Sequence, residues 1–71
     1  MKRRLQIVNT IMNYISTKHQ VGEVIYIKRL VAEICLTYSC GERLVMEILK
    51  HLVITEKIKF DDDKIIMEEK P

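Results

Sequence analysis

A mainly helical α+β fold is predicted by three observations. Apolar residues recur at helical spacing in three separate segments. A break containing Gly41 divides the second segment from the third, and after Lys57 the period changes from helical to two. A chain of 71 residues has room for one domain around one small core. An isolated β-hairpin is marginal in water, so the C-terminal one must lay its apolar face on the helices. Three helices, a short first strand and a C-terminal β-hairpin wing make a winged helix-turn-helix. Helix 1 is expected over about 2–19, the helix-turn-helix over about 27–55 and the wing over about 57–68.

In the first helix Leu5, Val8, Met12 and Ile15 follow the i, i+3, i+7 spacing of one face, and Ile7, Ile11 and Tyr14 form a second ridge beside it. The far side, Gln6, Asn9, Asn13, Ser16 and Gln20, is polar but uncharged. That apolar surface is wider than one small core needs. The expectation is therefore that the first set faces the domain and that Ile7, Ile11 and Tyr14 face a second copy of the chain. A broad core face in a monomer is the alternative.

Glu23 to Tyr26 is short and β-branched, suited to a small edge strand. The second helix runs from about Ile27 to Tyr38, with Ile27, Leu30, Val31, Ile34 and Tyr38 on one face and Lys28, Arg29 and Glu33 pointing away. Thr37 to Gly41 then breaks the pattern. Ser39 and Glu42 have the spacing of a capping box, and Gly41 is an alternative cap, so the third helix starts at one place or the other. Its buried stripe is Val45, Ile48, Leu49, Leu52 and Val53. Ile58 and Phe60, then Ile65 and Met67, alternate around a turn near Asp61 to Lys64, and Glu68 to Pro71 reads as a frayed tail.

Net charge is only +2, but it is unevenly distributed. Residues 1–20 carry Lys2, Arg3, Arg4 and Lys18 with no acid, whereas residues 58–71 carry five acids, three of them in the run Asp61-Asp62-Asp63. One end favours phosphate and the other repels it. Charges interrupt every apolar run, so no transmembrane span is expected, and the N-terminus lacks the apolar segment of a signal peptide. The composition points to an intracellular, cytoplasmic protein, and its wealth of isoleucine leans towards a thermophile. Cys35 and Cys40 are too few for a disulfide scaffold, and His19 and His51 show no finger-like spacing, so no metal is expected. Two buried or half-buried thiols are the default reading, and a redox link between them is the alternative. No catalytic set or phosphate-binding glycine loop is present; no enzymatic activity, cofactor, membrane contact or small-molecule substrate is expected.

On the wet face of the third helix, Arg43, Met46, Glu47 and Lys50 follow i, i+3, i+4, i+7 and project together. A recognition helix needs that geometry, because arginine can bond guanine in two places and a glutamate can accept from cytosine. Gly41 and Glu42 stand at the helix start, where the backbone could approach a phosphate. Lys28 and Arg29, opening the second helix, are candidate phosphate clamps, and Lys64 flanks the wing. The three aspartates at the wing tip oppose such a role, so the tip either points away from DNA or contacts protein.

The runs Ile27-Lys28-Arg29-Leu30-Val31-Ala32-Glu33-Ile34 and Ser39-Cys40-Gly41-Glu42-Arg43-Leu44-Val45-Met46-Glu47-Ile48-Leu49 resemble the helix-turn-helix of winged-helix transcription regulators. They are most similar to small archaeal ones, including those of crenarchaeal viruses and plasmids, and Lys57 to Ile66 resembles the wing. Leu44 and Met46 stand where that family commonly carries a threonine and a basic residue. The resemblance implies a homodimeric regulator of transcription that binds double-stranded DNA without a cofactor. A winged helix serving as a protein-interaction module is the competing expectation, since fold does not fix function.

Overall fold

The computed structural model describes residues 2–67. The tail from Glu68 to Pro71, and with it the last expected wing residue, lies outside the described residues. The elements follow the expected order: α1 (Lys2–Gln20), β1 (Ile25–Tyr26), α2 (Ile27–Tyr38), α3 (Glu42–Ile54), β2 (Ile58–Asp61) and β3 (Lys64–Met67). The strands form one antiparallel sheet in the order β1-β3-β2, so the last strand is the central one. Ile25 pairs with Ile65 and Phe60 pairs with the same Ile65, which sets one row of apolar side chains across the sheet towards the helices. This is a winged helix-turn-helix.

Thirteen buried apolar residues make the core, and among the described residues no polar or charged one is buried. Four come from α3 (Val45, Ile48, Leu49 and Leu52), three each from α1 and α2, and Ile25, Ile58 and Ile65 from the sheet. The expected inner face of α1 is corrected. Ile7 and Ile11, expected at a dimer surface, are 0% exposed and line the domain's own core together with Ile15. Tyr14, the third residue of that ridge, is half-buried against the same core. Val8 and Met12 flank this stripe, while Leu5 is 61% exposed. The physical reason is that α1 lies in a corner between α2 and the sheet. Both ridges therefore meet protein, and the second is not left over for a partner.

All three helices end with a residue in the left-handed region. Gly22 (φ +74) ends α1, where its N–H bonds the His19 carbonyl and the next N–H bonds that of Lys18. This is the Schellman reversal. Glu56 (φ +62) does the same after α3, with Glu56 N to Val53 O at 3.0 Å and Lys57 N to Leu52 O at 3.0 Å. Ser39 (φ +51) follows α2, and the N–H of Cys40 reaches back to the Cys35 carbonyl. Ser39 therefore ends one helix rather than capping the next. The N-cap of α3 is Gly41, without a side-chain bond, so of the two expected starts the structure takes Gly41 and not the capping box of Ser39 and Glu42.

The first strand is shorter than the expected Glu23 to Tyr26. Glu23 is held in the reversal after α1, its N–H on the Lys18 carbonyl and its carboxylate 2.7 Å from Lys18 Nζ. That ion pair raises the Lys18 pKa and lowers that of Glu23, chiefly through the hydrogen bond they share. At the other end of β1 the Ile27 N–H, the first of α2, bonds the Asp63 carbonyl at 2.9 Å. The wing turn thus satisfies a backbone donor that no side chain caps, and its acidic residues stand at the positive end of the α2 dipole. Asp62 (φ +60) supplies the left-handed residue of this two-residue turn, a conformation Asp tolerates better than most.

Tyr38 ties the far end of α2 to α1. Its hydroxyl stands 2.5 Å from Thr10 Oγ1, and its carbonyl accepts from the Arg3 guanidinium. A cation is favourable at that helix end, where the carbonyls lack partners.

Ser39 is exposed and makes no side-chain hydrogen bond among the described residues, so the left-handed backbone is its main contribution. Glycine at this position removes a steric cost of about 1–2 kcal/mol, offset in part by the greater freedom of the unfolded chain. Ser39→Gly should raise the thermal midpoint by a few degrees, as followed by circular dichroism; a lowered midpoint would contradict the reading of this turn.

Candidate nucleic-acid interface

The outer face of α3 is built by exclusion. With Val45, Ile48, Leu49 and Leu52 buried, helical geometry turns Arg43, Glu47 and Lys50 to the opposite side, and all three are exposed. Ile54, 76% exposed, continues the same face towards the C-terminus. Met46 does not join it. It is half-buried against the core and lines a groove with Ile27, Lys28, Val31, Cys35 and Glu42. This groove brings together the N-terminal ends of α2 and α3, so Lys28, Glu42 and Met46, far apart in sequence, border one surface. Gly41, the N-cap, is exposed beside them, and a Cβ added there would meet nothing within 4 Å.

Two of the sequence candidates lie elsewhere. Arg29 acts electrostatically on Lys18 and Glu23, which places it towards the reversal after α1. Lys64 is half-buried, 4.0 Å from Asp63, and lines a separate groove with His19, Glu23 and Val24. Neither is brought to the groove where Lys28 meets α3. Asp61, Asp62 and Asp63 are all exposed at the wing turn.

Sequence reasoning gave Arg4 only a vague role, and the structure gives it a definite one. Its guanidinium is 3.4 Å from Glu47, both side chains being substantially exposed. Glu47 therefore pairs across to α1 rather than along α3 with Lys50. No spacing rule could have found this pair, because its members are 43 positions apart. Arg4 also borders a third groove with His51 and Lys57, over a floor that includes Val8 and Ile48. Three basic side chains from α1, α3 and the turn before β2 thus flank the α3 face on the side away from α2. Their signal in the sequence is weak: Lys57 opens the wing pattern, and His51 follows Lys50 towards the end of the helix, where contact with a DNA backbone is the usual expectation.

The face can do recognition chemistry of a limited kind. Arg43 offers a planar, forked set of donors, and Lys50 offers a point charge about two turns further along the helix axis. Glu47 is an acceptor already engaged by Arg4. Among the described residues no three His, Cys, Asp or Glu side chains gather as a metal ion would require. Among the described residues, no helix is long and apolar enough to cross a membrane. No protein-family model, curated protein or solved structure matches the chain.

An exposed ion pair such as Arg4–Glu47 contributes at most about 1 kcal/mol. Glu47→Gln should accordingly leave the thermal midpoint within a few degrees of the parent. A collapse in thermal denaturation would show that the pair holds α1 on α3, which the buried isoleucines are expected to do without it.

Proposed function

We propose that this domain binds double-stranded DNA, laying α3 in the major groove, and that it regulates transcription. One observation carries the reading: the exposed Arg43–Glu47–Lys50 face is backed by four buried residues of the same helix and bordered by basic groups on both sides. On one side stands Lys28 at the start of α2; on the other stand Arg4, His51 and Lys57. A helix lying in the major groove meets phosphates along both flanks, so cations there fix its register while the face between them reads bases. Arg43 is the residue for guanine, and Lys50 serves base or backbone. Glu47, held by Arg4, accepts from cytosine only if that pair opens. Met46 meets apolar base surface such as a thymine methyl from the edge of its groove.

The modest net charge of +2 fits a short site with few phosphate contacts. The wing differs from the phosphate-gripping kind, because its tip is acidic and is turned to the start of α2. A second reading rests on that exposed tip, which suits a basic patch on a protein partner. It requires that neutralising Asp61, Asp62 and Asp63 release the partner.

A homodimer on DNA remains part of the proposal, through residues other than Ile7 and Ile11. Selection from a randomised duplex pool would enrich a two-fold symmetric site if two copies bind together. On the enriched site, Arg43→Ala should weaken binding roughly 5- to 150-fold and relax preference at one base pair. Lys57→Ala should weaken binding to all sequences alike and lower the salt slope by about 1. Unchanged affinity in both variants would remove the DNA reading.

A further inference from the structure

Cys35 sits in the last turn of α2, and Cys40 lies in the turn between α2 and α3. The Cys40 N–H donates to the Cys35 carbonyl at 3.3 Å. That bond belongs to the helix-ending reversal centred on Ser39, which folds the chain back until residues five positions apart stand side by side. The side chains follow the backbone. Cys40 Sγ lies 4.0 Å from the Ile34 carbonyl, so the thiol turns back onto the last turns of α2. Both cysteines are free and half-buried, and Cys35 opens onto the groove bordered by Lys28, Glu42 and Met46. A disulfide needs Cα atoms within about 7 Å and side chains directed at one another. A reversal of this type brings the two backbones together, and the Cys40 thiol, set against the carbonyl of the residue before Cys35, turns towards the same end of α2.

We propose that Cys35 and Cys40 are a reversible modification site, a thiol pair that closes to a disulfide within the domain when a small-molecule disulfide is present. One cysteine thiolate attacks the small-molecule disulfide, whose S–S bond breaks and releases one thiol. The other cysteine then displaces the second thiol from the mixed disulfide, forming the Cys35–Cys40 bond. The two electrons and two protons leave with the two small thiols, so the exchange balances without any other oxidant. Burial first, and then the neighbouring Cys40, pushes the Cys35 thiol up from its ordinary pKa. It therefore stays protonated at neutral pH, and closure should quicken as pH rises.

The bond would pin the turn that sets the angle between α2 and α3. It would also close a short loop in the unfolded chain, which stabilises the fold. This inference does not depend on the domain's binding partner.

The test incubates the reduced full chain with glutathione disulfide at mildly alkaline pH, followed by intact mass, non-reducing peptide mapping and thermal denaturation. The expected product is a monomer about 2 Da lighter with a Cys35–Cys40 link. Its thermal midpoint should be several degrees higher, and dithiothreitol should reverse both changes. In Cys40→Ser the lighter species should vanish and glutathione adducts at Cys35 should replace it. Stable glutathione adducts or cross-linked dimers as the main product of the parent protein would overturn the proposal. So would an internal disulfide that lowers the midpoint, since the turn would then be forced rather than pinned.

Discussion

Everything in this domain depends on a single aliphatic core that takes residues from every helix and every strand. Its thirteen members include eight isoleucines, and the described residues bury no polar group with them. Isoleucine is stiff at χ1, so each one fixes a direction as well as filling volume. At roughly 1.5–3 kcal/mol for a fully buried aliphatic side chain, such a core is the main favourable term available to a chain of this size. Among the described residues, every polar and charged side chain is therefore at least partly exposed.

That constraint decides what the sequence could reveal. The bounds of α2 were legible, because its apolar face, Ile27 through Tyr38, is flanked by a strand-like run and by a turn. The buried stripe of α3 was legible for the same reason, and the wing from its change of period. The inward direction of α1 was not. Ile7, Ile11 and Ile15 form one ridge and Val8 and Met12 the next, and periodicity alone cannot rank two neighbouring apolar ridges. The choice is made by α2 and by the sheet, whose central strand, β3, begins 44 positions after α1 ends. The start of α3 stays open in the sequence for a related reason: S-x-x-E describes a helix start equally well when the serine is ending the helix before it, and the structure takes the Gly41 alternative.

Of the candidate site, the part carried by one helix was legible and the part assembled between elements was not. Arg43, Glu47 and Lys50 share a face by spacing alone. Met46 shares their spacing and yet leaves the face, because α2 lies close enough to draw it into the groove beside Val31. Arg4 enters only when α1 packs, and it engages Glu47 from outside the helix. Side chains collected from three elements are correct only when the core is correct, so the basic border of α3 is a property of the packed domain.

The wing tip shows the same dependence in reverse. Three consecutive aspartates stand in a domain whose other end is basic, and against a phosphate backbone they would be misplaced. Their backbone supplies a different reason. The Asp63 carbonyl takes the first N–H of α2, an uncapped helix, and this sets the acidic turn where the helix dipole is positive. The same turn needs a left-handed residue, and Asp62 provides it. The acidic run is therefore explained by the fold before any partner is invoked. Its charge limits how near a phosphate can come to the start of α2, so α3 and the Arg4, His51 and Lys57 flank must carry more of any polyanion contact than Lys28 does. The domain's basic chemistry is thus weighted towards α1 and α3, away from the helix that the sequence had suggested as the clamp.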